Sequence, residues 1–129
     1  MPTPHLDEAS LTFLTERHLA SMSTVRPDGS IHVVPIGFSY DPTAGLVRVI
    51  TRAGSWKARH LAGHPGARVT VSQVDGGRWL SLEGDAVVTD DPTRVAAAVD
   101  GYAARYRQPE PREDRVAIEI AVDRVLGRA

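Results

Sequence analysis

The chain has 129 residues, enough for one domain with a real core and short for two. Its 15 basic and 16 acidic residues leave a formal net charge of -1, so no global field draws it to nucleic acid or anionic lipid, and any anion site must be local. Cysteine is absent, which removes disulfides, thiol catalysis and cysteine-ligated zinc or iron–sulfur centres, and no apolar run approaches the roughly 18 residues of a membrane span.

The opening stretch M-P-T-P-H-L-D-E-A-S-L-T-F is acidic and lacks a continuous apolar core. No signal peptide is expected, and with the missing cysteines this points to the cytoplasm. A helix is predicted from Asp7, whose carboxylate can cap the first turn while Leu6 and Leu11 occupy the positions of a hydrophobic staple; it should end near His18. Two strand-like runs, residues 19–25 and 31–40, flank R-P-D-G-S and read as a hairpin. In the second run Val34, Ile36, Phe38 and Tyr40 share one face. Pro35 has no amide proton to give a ladder, so it marks an edge, bulge or opening in the sheet. D-P-T-A-G then turns the chain into a strand over 46–52.

Residues 55–63 read as a helix stopped by Gly63 and Pro65. Strands follow at 67–74 and 78–89, joined by the tight D-G-G turn. A third helix begins at Asp91-Pro92 and carries Val95, Val99, Tyr102 and Tyr106 along one stripe. The last strand, 115–126, places Val116, Ile118, Ile120 and Val122 at alternate positions. Hairpins with helices inserted at only two places argue for an antiparallel barrel over a doubly wound parallel sheet. The expected fold is α+β: a six-stranded antiparallel split β-barrel of Greek-key type with three short helices, one domain over 1–129. A small barrel that does not close fully leaves strand edges for another copy, so a homodimer is expected.

The chemistry concentrates where the strand at 46–52 hands over to the helix at 55–63. Thr51, Ser55 and Lys57 gather there, Gly54 allows close backbone approach, and the helix amides attract an anion. Arg52 and Arg59 add forked donors suited to carboxylate or phosphate. Against this stands the plainer possibility that Ser55 merely caps the helix and the bases form a solvated face. Trp56 and Trp79 have the shape to flank a planar ligand and Gln73 the groups to bond a ring edge, although tryptophans in small domains more often seal the ends of a barrel. His60 and His64 are four apart on one helical face, but Gly63 and Pro65 interrupt the helix and no third ligand is near, so no metal site is expected. Ser55 lies in neither G-x-S-x-G nor S-x-x-K, and no glycine turn spells a dinucleotide or Walker loop.

Taken in order, T-x-x-x-S-x-K, a helix, H-P-x-x-x-V-x-V and R-W-L-S-L-E-G resemble the pyridoxamine 5'-phosphate oxidase-like family of flavin and deazaflavin proteins. The runs F-L-T-E-R-H-L-A, H-V-V-P-I-G-F-S-Y-D-P, S-Q-V-D-G-G-R-W-L-S-L-E-G and Y-A-A-R-Y-R-Q-P-E-P are similar to its actinobacterial branch that uses coenzyme F420, which includes small biliverdin reductases. The resemblance implies a split barrel dimerised around its cofactor. Thr51, Ser55 and Lys57 would hold the phosphate-bearing tail; Val34, Pro35 and Ile36 would lie along the ring; Gln73 and Trp79 would approach it, from the partner subunit if the site is shared. Ile50, Arg52, Trp56 and Arg59 complete the implied cofactor-binding set. The implied reaction is hydride transfer from reduced F420 to a conjugated small molecule such as biliverdin, with no acid or base residue assigned. An FMN-binding flavoprotein, or a non-catalytic carrier of flavin, deazaflavin or tetrapyrrole, are the alternatives. The sequence ends at V-L-G-R-A without the arginine-bearing tail of the pyridoxamine phosphate oxidases proper, so vitamin B6 oxidation is not expected.

Overall fold

In the computed structural model, which describes residues 3–129, the Asp7 carboxylate accepts a hydrogen bond from the Ser10 amide at 2.8 Å and starts helix α1 (Glu8–Phe13). Leu6 is buried and Leu11 packs against the same core, as a staple requires. The helix stops well before His18. The Thr15 and Glu16 amides donate to the Thr12 and Phe13 carbonyls, tightening the last turn so that the chain can enter the sheet.

Strand β1 (Ala20–Val25) then pairs with β2 (Ile31–Ile36) across the expected turn. The run expected to continue to Tyr40 breaks at Gly37-Phe38, and β3 (Ser39–Asp41) is a separate strand, which makes seven strands instead of six. At the break the chain passes close against α3, where a Cβ on Gly37 would lie 3.0 and 3.1 Å from ring carbons of Tyr102 and Tyr106. The remaining elements are β4 (Leu46–Arg52), α2 (Trp56–Gly63), β5 (Ala67–Asp75), β6 (Arg78–Thr89), α3 (Pro92–Arg105) and β7 (Arg115–Arg128). Among the described residues no helix is long and apolar enough to cross a membrane.

All pairings are antiparallel, and the sheet order is β2-β1-β5-β6-β7-β4-β3. The two edge strands, β2 and β3, are consecutive in sequence with only Gly37 and Phe38 between them. Three Cα–Cα steps span at most about 11 Å, so the sheet must curl until its edges meet at that point. The result is a barrel joined at one end and split along the rest. Pro35 sits on the edge strand opposite Ser21, where its missing amide proton costs no ladder bond.

Curling also needs a bend between the long strands β6 and β7. Glu83 pairs with Arg124 and Gly84 with Val122, leaving Asp123 as the extra residue of a bulge. Only glycine fits at position 84, because a Cβ there would come within 1.9 Å of the Ala121 carbonyl oxygen. Arg68 gathers the acids displaced around the bulge, reaching Asp123 at 2.6 Å and Glu83 at 2.8 Å.

Phe13, Met22, Phe38, Leu61, Leu80 and Ile118 fill the barrel, and Ile118, Ile120 and Val122 face it as their alternation predicts, while Val116 is buried beside a recess it shares with Ala58 and Ala62. Ala117 and Glu119, on the other side of β7, are buried as well. The Arg94 guanidinium of α3 pairs there with Glu119.

Arg105, near the end of α3, is a buried charged group held by the backbone. Its Nε donates to the Glu16 carbonyl at 2.8 Å, one Nη to the Phe38 carbonyl at 2.9 Å, and the other to Gln73 Oε1. Gln73 Nε2 in turn donates to the Phe13 carbonyl at 3.0 Å. Tyr106 extends the network, its hydroxyl donating to the His18 carbonyl at 2.6 Å and accepting from the Phe38 amide at 3.2 Å. Three carbonyl oxygens or amide oxygens would lose their donor in Arg105→Ala. A loss of about 3 kcal/mol in urea unfolding is expected, with little rescue by Arg105→Lys, whose ammonium cannot fork.

Nearer the surface, Glu16 accepts from Arg78 at 2.9 Å and lies 3.1 Å from His18. The Arg78 bonds first, and His18 second, hold its carboxyl below the ordinary 4.5, at about 2. A depressed acid stabilises the fold fully above its unfolded value and loses that contribution as pH falls through the folded one. Unfolding midpoints measured from pH 5 to 2 should therefore decline in a way that Glu16→Gln lacks. The amplitude will be small, because the cluster is solvent-exposed.

Candidate functional site

Ser55 stands outside α2 in extended backbone, and its hydroxyl oxygen accepts the Ala58 amide at 3.2 Å. Thr51, at the end of β4, donates to the same oxygen at 3.1 Å. Ser55 is thus the helix cap, and it also fixes the Thr51 hydroxyl at the strand–helix junction. The cap is the plainer of the two alternatives left open by the sequence. Ser55 caps, while Thr51 and Lys57 face a cavity.

That cavity, of about 470 Å³, lies in the split of the barrel. Pro35, Ile36 and Gly37 form one wall, and Val49, Ile50, Thr51 and Arg52 of β4 form another. Lys57 enters from α2, Tyr102 from α3, and Arg107, Arg112 and Arg115 from the segment leading into β7. Its size suits a cofactor or small ligand, and its walls divide into an apolar part and a cationic part. Lys57 has no carboxylate within 4.0 Å among the described residues. Burial, and then the nearby Arg52 charge, hold its pKa below the usual lysine range. A desolvated ammonium without a counter-charge is a place where an anion is favoured.

Val34 lies beside a second hollow of about 360 Å³, lined also by Leu19, Ser21, Ser72 and Val74, and Pro35 borders both. The expected Val34-Pro35-Ile36 stretch thus spans two adjoining recesses.

Besides Val34 and Ser55, four expected site residues stand apart from the main cavity. Arg59 borders a different recess, with Ala53, Ala62, Val88 and Asp90. It follows Lys57 by two residues, which turns it to the opposite side of α2. Trp56 packs against His32 at 4.3 Å and stacks on His60 at 4.6 Å with the planes 9° apart. His64 continues the stack at 4.4 Å from His60, so the histidine pair serves packing. Gln73 is 1% exposed and both ends of its amide are bonded inside the chain, which leaves it no free group for a ring edge. Trp79 pairs with Val74 across β5 and β6 on the outer face of the sheet, 43% exposed and away from this chain's cavity.

Tyr102, placed by the sequence only on the stripe of the third helix, and Arg107, Arg112 and Arg115 were not expected in the site. The run Y-R-Q-P-E-P-R-E-D-R, residues 106–115, does carry a signal in its density of arginine and proline. Interleaved acids make it look neutral, and only the fold turns several of its arginines toward one cavity.

The model of the pyridoxamine 5'-phosphate oxidase family matches residues 6–129. The F420H(2)-dependent biliverdin reductase of Mycobacterium tuberculosis (strain CDC 1551 / Oshkosh) is 51% identical over 127 residues, 98% of this chain and 91% of its own. Among solved structures, an F420 reductase superposes with a TM-score of 0.75 at 26% identity, over 94% of this chain and 98% of its own. A conserved hypothetical protein of Mycobacterium tuberculosis gives 0.79 at 23% identity, over 99% and 88%, a likeness of fold alone. Split barrel, open edge and strand–helix junction agree with this match along the whole length: the chain belongs to the pyridoxamine 5'-phosphate oxidase family.

Proposed function

We propose that the protein is an F420-dependent reductase that passes a hydride to a conjugated acceptor, biliverdin being the acceptor best supported. The observation that carries the reading is a single cavity with an apolar wall of Pro35, Ile36 and Ile50 and, at its other side, the uncompensated Lys57 ammonium. The 51% identity to an F420H(2)-dependent biliverdin reductase over nearly the whole chain supports the choice of cofactor and acceptor.

In this reading Lys57 neutralises the phosphate, and Ser55 holds Thr51 and the first turn of α2 in place. The Pro35–Gly37 wall keeps water from one side of the ring and orients it toward the open side of the split. When bound, reduced F420 supplies the hydride. The chain supplies binding, orientation and a dry surface. FMN is the second reading, since a phosphomonoester would also suit Lys57.

The homodimer belongs to the same proposal. Leu19, Val33, Val74, Trp79 and Leu126 are large apolar side chains, each 43% exposed or more, on or beside the outer face of β2, β1, β5, β6 and β7. Such a face is costly in water and suits a second copy of itself. Trp79 would then meet the partner's site and not its own.

Three measurements test the reading. Reduced F420 should be oxidised when biliverdin is added, and turnover with FMN alone, or tight deazaflavin binding without turnover on any acceptor, would reject it. Lys57→Ala should weaken F420 binding by roughly thirtyfold or more, equivalent to about 2 kcal/mol. Ser55→Ala should act more weakly in the same direction and also cost about 1 kcal/mol of stability through the lost cap. Sedimentation should report about twice 13.9 kDa, and a monomer with unimpaired cofactor binding would remove the shared site.

A further inference from the structure

Tyr102 lies in the last turn of α3 and Tyr106 ends the helix, its amide donating to the Tyr102 carbonyl at 2.8 Å. Four residues apart, the two side chains meet, with ring centroids 4.9 Å apart and planes 39° from parallel. Both also lie against Gly37, where a Cβ would come within 3.0 Å of the Tyr102 ring and 3.1 Å of the Tyr106 ring. Packing treats the pair alike, and hydrogen bonding does not. The Tyr106 hydroxyl is spent on the fold, donating to the His18 carbonyl and accepting from the Phe38 amide. The Tyr102 hydroxyl has no hydrogen-bond partner among the described residues, and its half-buried side chain lines the cavity in the barrel split.

Among the described residues no other side chain of that lining keeps both a free donor and a free acceptor. The guanidiniums and Lys57 only donate, the Glu110 carboxylate only accepts, and the Thr51 hydroxyl proton goes to Ser55. A phenol donates one bond and accepts others. Its oxygen lies on the ring axis, so the contacts with Gly37 and Tyr106 that hold the ring also fix the oxygen. Tyr102 thus sets an oriented hydroxyl beside Gly37, where the apolar wall of Pro35 and Ile36 ends. A group held in place before the ligand arrives loses little freedom on binding.

We infer that the Tyr102 hydroxyl orients a bound heterocycle by hydrogen bonding to a cyclic imide or lactam edge, where a carbonyl stands next to an N–H. Such an edge is matched by a partner that both donates and accepts, which the cations of the cavity cannot do. Two molecules of the proposed reaction carry it: the deazaflavin in its pyrimidinedione ring and biliverdin in its terminal lactam rings. The identity of the heterocycle rests on that reaction, while the free hydroxyl beside Gly37 stands without it.

The test is Tyr102→Phe in the full-length protein, which keeps the ring against Gly37 and Tyr106 and removes only the hydroxyl; Tyr106→Phe is the structural control. Urea unfolding should leave the midpoint of Tyr102→Phe at the wild-type value and lower that of Tyr106→Phe, which loses two bonds. Binding is followed by fluorescence titration with the deazaflavin riboside, which lacks phosphate and tail, and by absorbance with biliverdin in the cofactor-free protein. If the cofactor edge is the ligand, Tyr102→Phe should bind the riboside about fivefold more weakly and biliverdin unchanged. If the acceptor's lactam is the ligand, the losses should be reversed. Either selective loss at an unchanged midpoint supports the inference. Unchanged binding of both ligands, equal losses on both, or a loss accompanied by a lowered midpoint would overturn it. A wild-type protein that binds no deazaflavin would refute the reductase reading alone; riboflavin, which carries the same imide edge, would then replace the riboside and decide the role of Tyr102 by the same contrast.

Discussion

The buried guanidinium of Arg105 is the interaction on which the architecture depends. A charge removed from water is tolerable only when its donors are met, and here two backbone carbonyls and the Gln73 amide meet them. Those partners belong to the segment after α1, the Gly37-Phe38 link and β5. One side chain at the end of α3 therefore ties together the places where the curled sheet must close. Phe38 adds its ring, 4.5 Å from the guanidinium carbon. Closure at this end leaves the split, and hence the cavity, at a defined position.

Charge is distributed by the same logic of satisfaction. Around the β6–β7 bulge and at the α1–β6 contact, arginines are surrounded by acids and serve the fold. In the cavity they are not, and the strand register even sets two of them face to face. Groups left unbalanced around a cavity mark where binding energy is available. This local excess is compatible with a nearly neutral chain, which is why composition gives no hint of it.

The strand–helix junction shows how one residue serves stability and site together. Ser55 satisfies a helix amide and receives the Thr51 hydroxyl, so the helix start and the cavity wall are set by the same oxygen. The adjacent Trp56 takes no part in the cavity because His32 and His60 already cover it. Its contact with His32 joins the first turn of α2 to the β1–β2 hairpin.

Local chemistry was legible in the sequence wherever the causes are local. The caps at Asp7, Ser55 and Asp91, the turn at D-G-G and the alternation in Val116, Ile118, Ile120 and Val122 all depend on neighbours within a few residues, and each lies where the sequence puts it. Lys57, singled out as a charge where a strand meets a helix, likewise lines the cavity. What tertiary structure alone decided is which side chains are free. Gln73, read as a ligand group, is consumed by Arg105 from 32 residues away. Arg59 is turned to another recess by helical geometry, and Trp56 is covered from a hairpin distant in sequence. Arg115 becomes a site residue only because β7 pairs with β4 in a register that sets it opposite Arg52. Residue type and spacing declare what a group can do; long-range pairing decides whether its bonding capacity is already spent.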